Sequence, residues 1–239
     1  MKKFILILTL PVLLWSCEGL NLAQLEDAVG GMAAPTSAEA SKGLKEALKI
    51  GLNKGVGNLS AKDGFWGDAA KRILLPPEVL KIEKDLKSLP IVGQEYDRMV
   101  ENMNHGAEEA VGLAKDVFID AVTNMSVTDA LGILTGGEGA ATNYLKKATS
   151  SNLEAKFQPV IKKSLDKIGV TKNWSSISSA YNMFSTKKVN TDLNNHVTTK
   201  AMDVLFKEVA NQENLIRSNP AQRVTDILKK VFGYADTQK

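Results

Sequence analysis

Between Tyr96 and Met125 the apolar side chains recur in three- and four-residue steps: Tyr96, Met99, Met103, Ala107, Ala110, Ala114, Val117, Ala121 and Met125, with Val100, Val111, Phe118 and Val122 beside them. That spacing lines them along one side of a helix with 3.6 residues per turn. The reading is one long, central amphipathic helix of roughly thirty residues, since the pattern holds unbroken for that length.

Shorter patterns flank it. Thr36 and Glu39 form a capping box ahead of "EASKGLKEALKIGLNKGV", in which each residue's side chain satisfies the other's backbone N–H. Glu78 to Leu89 reads as a helix stopped by Pro90 and Gly93, and Ser126 with Asp129 offers a second box for "DALGIL". After a glycine turn, "TGGEG", a helical pattern runs from Ala140 towards Gly169. Leu193, Val197, Ala201, Val204, Leu205 and Val209 mark another, continuing to about Arg217. Asn219 as N-cap and Pro220 as first helical residue predict a last helix ended by Gly233. "LSAKDGFWGDAAKRILLPPEVL" reads as a structured loop with Phe65 and Trp66 as plugs into the core, and "VTKNWSSISSAYNMF" as loop with a short helix. No alternating strand pattern longer than four or five residues occurs, so the fold class is all-α. The expectation is a multi-helix bundle without sheet, formed by residues 36–235 as a single helical domain.

The N-terminus is of another kind. Lys2 and Lys3 precede the apolar run Phe4–Leu14, which is too short to cross ~30 Å of hydrocarbon and has Pro11 inside it. It closes on Leu14-Trp15-Ser16-Cys17, which resembles the lipobox of bacterial lipoproteins, although Trp15 departs from the usual small or aliphatic choice. The expectation is a signal peptide over 1–16, lipid attachment at Cys17 and a flexible tether over 17–35. The alternatives are an ordinary secretory leader, for which Leu14 and Ser16 are a poor cleavage pair, and a buried structural thiol. Cys17 is the only cysteine, so neither an intrachain disulfide nor a cysteine zinc cluster is possible.

Composition narrows the function classes. Aromatic residues make up 6%, which disfavours sheet-rich sandwiches and base-stacking platforms. The formal charge of +3 hides a split: Cys17–Ser126 carries 12 basic and 17 acidic residues, and Val127 onward 16 basic and 10 acidic. Without a concentrated basic stripe and interleaved aromatics, no nucleic-acid partner is expected. The two halves are expected to dock on each other through complementary fields, a basic C-terminal face that meets an anionic partner being the alternative.

No residue group amounts to a catalytic centre. His105, Glu108 and Glu109 lie on consecutive turns, on what reads as a solvated face, and H-E-x-x-H is absent, so no metal site is assigned. "LTGGEGAATNYL" places glycines before a helix N-terminus, where free N–H groups can hold an anion, but it lacks the P-loop Lys-Ser/Thr. A tight helix–helix turn explains those glycines more simply. Asp116 and Asp120 read as a surface pair, and Met99, Met103 and Met125 as gap-filling core or the lining of an apolar cavity. Arg217, Asn219 and Arg223 surround a helix start and are weak candidates for binding an acidic group. A salt bridge from the arginines to the acidic first half is the plainer reading. No cofactor is expected.

From Asp63 to Gly233 the phrases "KDGFWGDAAKRILLP", "MNHGAEEAVGLAKDVFIDAVTNMSVTDALGIL", "GAATNYL", "VTTKAMDVLF" and "LIRSNPAQRVTDILKKVFG" stand in this order. In them the chain resembles the bacterial family catalogued as domain of unknown function 4197. His105 stands where that family's phrase usually carries arginine. The resemblance implies a helical, exported, often lipid-anchored domain and no particular reaction. The functional expectation is a lipid-anchored, periplasm-facing binding or scaffold module of a Gram-negative-type cell envelope. It would be held to a membrane through Cys17 and would meet an envelope protein. Carriage of an apolar ligand or lipid is the alternative, and an enzyme the third possibility.

Overall fold

Thr36 ends an extended approach and accepts the Glu39 N–H on its hydroxyl at 3.2 Å, while the Glu39 carboxylate accepts the Thr36 N–H at 2.9 Å. This capping box, as read from the sequence, opens α1 (Ser37–Ser60). The structure is a computed structural model, and it describes residues 34–237 apart from 82, 89 and a number of positions between 168 and 191. The leader, Cys17 and all but the last two tether residues lie outside the described residues, as does most of "VTKNWSSISSAYNMF".

Among the described residues eight further α-helices follow, and no strand. They are α2 (Pro77–Leu80), α3 (Glu83–Ser88), α4 (Pro90–Gly112), α5 (Ala114–Thr123), α6 (Val127–Thr135), α7 (Ala140–Asp166), α8 (Leu193–Ser218) and α9 (Asp226–Asp236). The fold is all-helical, as the periodicity predicts. α1 is the hub, touching α4, α5, α6, α8 and α9. Glycine makes some of these approaches possible: a Cβ on Gly43 would come within 2.7 Å of Val231 Cγ2 on α9. Leu44, Leu48, Leu52, Val56 and Leu59 fill the seam between them.

The buried positions of α7 fall at strict four-residue intervals: Ala141, Leu145, Thr149, Leu153, Phe157, Ile161 and Leu165. Each four-residue step overshoots a full turn by about 40°, so the buried edge winds around the helix instead of forming one face. α7 therefore packs on α4, α5, α6 and α8 in turn and continues through Pro159. Phe118 of α5 and Phe206 of α8 meet edge to face, with ring centroids 6.0 Å apart.

Several boundaries differ from the sequence reading. The long stripe is buried as predicted and Tyr96–Thr123 forms one joined helix of 28 residues, α4 and α5 being separated only by a single turn residue at Leu113, but the helical run begins earlier, at Pro90, and ends at Thr123. Pro90 suits a first turn, where its missing N–H has no intrahelical role. It therefore starts α4, and Gly93 lies inside that helix instead of ending its predecessor. The expected Glu78–Leu89 helix is two short ones, α2 and α3. Asn219 caps only a 3₁₀ turn, Pro220–Gln222; Thr225 is the N-cap of α9, and α9 runs through Gly233 to Asp236.

The first turn of α1 gives a pH prediction. The Lys230 ammonium on α9, 2.8 Å away, then the Thr36 N–H and hydroxyl, hold the Glu39 carboxyl down from 4.5 to about 2. A depressed folded pKa contributes stability that is complete above about 4.5 and is lost as pH falls through about 2. Amide hydrogen exchange in the first turn of α1 should therefore accelerate relative to the α7 interior between pH 5 and pH 2. Glu39→Gln should remove that pH dependence. An unchanged profile in the variant would refute the assignment.

Candidate functional site

The loop joining α1 to α2, residues 61–76, carries the "KDGFWGDAAKRILLP" phrase and is held by two side chains one turn apart on α4. Glu108 Oε1 accepts the N–H groups of Phe65 at 3.0 Å and Trp66 at 3.1 Å, and Oε2 accepts that of Asp63 at 3.2 Å. Asn104 reads the backbone of Ile73 like a neighbouring strand: Oδ1 accepts its N–H at 2.7 Å, and Nδ2 donates to its carbonyl at 2.9 Å. Curling three N–H groups onto one carboxylate requires a sharp chain reversal, and Asp63 adopts φ +64° to make it. Gly64 follows, where a Cβ would lie 2.4 Å from the Leu59 carbonyl oxygen. The reward is Phe65, fully buried in the core. Trp66 is half-buried and serves instead as a platform for Arg72, whose guanidinium lies 4.3 Å from the ring centroid and donates from Nε to the Trp66 carbonyl at 2.8 Å.

His105, Glu108 and Glu109 thus do not share a solvated face. Glu109 is exposed, His105 lies 3.3 Å from Asp63 Oδ1, and Glu108 is only 5% exposed and turned into the molecule. Among the described residues no group of three His, Cys, Asp or Glu side chains is arranged to hold a metal ion.

The second polar centre lies at the turn between α6 and α7. Gly139 precedes α7 with φ +77° and has no side chain to cap it. The vacant N–H groups of Ala141 and Thr142 instead donate to Glu213 of α8, at 3.0 and 2.9 Å, and the Thr142 hydroxyl adds a bond of 2.7 Å. The glycines of "TGGEG" thus form the tight helix–helix turn expected of them, and the N–H groups that could have held an anion are taken by the protein's own carboxylate, which the helix N-terminus favours. Arg217, one turn along α8, pairs with Glu213 at 2.9 Å. It also donates to the Ile133 carbonyl at 2.8 Å and that of Leu134 at 3.3 Å, capping the end of α6. One ion pair on α8 thus closes α6 and opens α7.

Arg223 repeats the device. Only 4% exposed, it donates to the Ile216 and Arg217 carbonyls at the end of α8 and pairs with Asp236 at 2.7 Å. Asn219 turns its Oδ1 to the N–H of Ala221 at 3.0 Å. Arg217, Asn219 and Arg223 do lie together, but as braces. The arginines pair with Glu213 and Asp236, both in the basic second half, and not with the acidic first half as expected. One ion pair does join the basic half to the acidic half, Lys230 with Glu39 at 2.8 Å.

Beside this brace a groove of about 730 Å³ opens between α6, α8 and α9. Leu131, Leu134 and Phe232 supply apolar wall, and Glu138, Asn214 and Arg217 a polar edge on which the Asn214 amide donates to Glu138 at 2.7 Å. Pro35 lines it as well. Met103 and Met125 are buried in the core and Met99 packs against it, none of them on this groove, so the methionines fill gaps instead of lining the cavity.

Sequence reasoning put Glu108 on a solvated face and missed Glu213 altogether. A signal existed for the second: Glu213 stands four residues before Arg217, the favourable orientation for a helical pair, and Gly139 cannot cap α7 itself. A sequence profile for the family described as "Protein of unknown function (DUF4197)" matches residues 34–233. No curated protein and no solved structure matches the chain.

Proposed function

We propose a role that starts from one established fact, that the chain belongs to the family of proteins of unknown function DUF4197. In this reading it is a lipid-anchored, periplasm-facing binding module of a Gram-negative-type cell envelope. Acyl chains on Cys17 hold it to a membrane, residues 18–35 tether it, and the helical bundle offers the groove between α6, α8 and α9 to an envelope protein. The groove is the observation that carries the reading. It is roomy, apolar-walled and built on a corner whose helix ends are fixed by Glu213, Arg217 and Arg223. A preformed surface binds without first spending energy on its own ordering. Those charged groups are already committed to backbone and to each other, which favours holding a partner over performing chemistry at this place. No single described helix is long and apolar enough to cross a membrane, and in this reading attachment is the work of the lipid. Several acyl chains on one sulfur would supply that durably.

The test has two arms. Cells grown on radiolabelled palmitate should yield labelled wild-type protein and unlabelled Cys17→Ser. A photo-crosslinker at Leu131 or Ser218 should capture one and the same envelope protein, and one at exposed Lys162 should not. Absence of label removes the anchor; scattered adducts remove the docking role. The volume of the groove also suits the carrier reading, which predicts a co-purifying lipid whose loss on Phe232→Arg is seen by native mass spectrometry.

A further inference from the structure

A smaller pocket of about 260 Å³ lies away from that groove, between the 70–77 loop and the outer face of α8. Its floor is apolar, from Leu74, Leu80 and Val204, and Leu74 remains 46% exposed. Every charged side chain lining it is basic: Lys71, Arg72 and Lys200, with His196 beside them. The pocket is built, not incidental. His196 Nε2 lies 2.9 Å from the Leu74 carbonyl and so donates to it, tying the loop to α8. Arg72 is held on the Trp66 ring with its Nε spent on the Trp66 carbonyl, which leaves its terminal amino groups for a ligand. Among the described residues no carboxylate lies within ion-pair distance of Arg72. Two acids stand nearby: Asp68, 3.3 Å from Lys71, and Asp203, 3.8 Å from Lys200. Each answers one lysine, and the Arg72 charge is left over.

We infer that this pocket receives the headgroup of an anionic phospholipid. A fixed guanidinium fork suits a phosphate's paired oxygens, the two lysines add mobile charge, and the apolar floor with exposed Leu74 suits the first methylenes of the chains. A soluble phosphate ester would use the cations but leave the floor unfilled. The inference stands on residues separate from the groove and needs neither its partner nor the anchor.

Full-length protein in one nonionic detergent is titrated calorimetrically with dihexanoylphosphatidylglycerol, dihexanoylphosphatidylcholine and glycerol phosphate. The anionic lipid should bind at least tenfold more tightly than the other two. Arg72→Gln should weaken it about fivefold, the loss of one lipid-facing cation. Lys200→Gln, on the exposed face of α8 and therefore safe for folding, should do likewise, and Lys162→Gln should change nothing. Equal binding of the choline lipid, equal binding of glycerol phosphate, or indifference to both Arg72→Gln and Lys200→Gln would each overturn the inference.

Discussion

Glu213→Ala should lower the unfolding free energy by about 3–5 kcal/mol, read from the urea midpoint at unchanged slope. The carboxylate accepts from two N–H groups and one hydroxyl of α7, and it neutralises Arg217, itself 14% exposed at the side chain. Its removal strands the opening of one helix and leaves a charge poorly solvated. The second consequence dominates, because an uncompensated buried charge is more expensive than a lost hydrogen bond. That ordering can be tested. Glu213→Ala combined with Arg217→Met removes both charges and should be less destabilised than the sum of the single variants by about 1–2 kcal/mol. Additive losses would mean that the pair works as two independent caps.

The same pair shows what was legible in the sequence. Thr36 with Glu39 and Ser126 with Asp129 declare themselves because both partners of a capping box lie within four residues, and both boxes form. The burial of the Tyr96–Met125 stripe is equally local in origin: periodicity alone demands a partner surface. The misread boundaries share another cause. Asn219-Pro220 has the local grammar of a helix start, yet one turn later Arg223 folds back onto the carbonyls of Ile216 and Arg217, and the chain restarts at Thr225. Gly233 has the grammar of a stop, but the turn beyond it is retained, with Asp236 tied to Arg223. Glu108 looks like one more charge on a polar face until a loop more than forty residues earlier is brought against it. Local chemistry writes helices and caps. Tertiary partners decide which charged side chains turn inward, and a single sequence holds no record of those distances.

Glu108→Ala should release the 61–76 loop as a unit, at a loss of about 2–4 kcal/mol from orphaning three backbone N–H groups, one of them fully buried. The loss exceeds that of an ordinary surface carboxylate because the loop carries Phe65, Ile73 and Leu75 into the core, and they stay there only while it is latched. Opening should thus be sub-global, sparing α7 and α8. Hydrogen exchange at Phe65 and Trp66 should accelerate far more than in those helices, and a protease specific for aromatic residues should cut after Phe65. Glu108→Gln separates charge from geometry. Its remaining carbonyl oxygen can keep the Phe65 and Trp66 bonds while its amide faces the Asp63 N–H donor to donor, so its loss should be less than half that of alanine. If Glu108→Ala protects Phe65 as well as wild type does, Asn104 and His196 hold the loop without it, and the two Asn104 bonds to Ile73 become the latch to remove next.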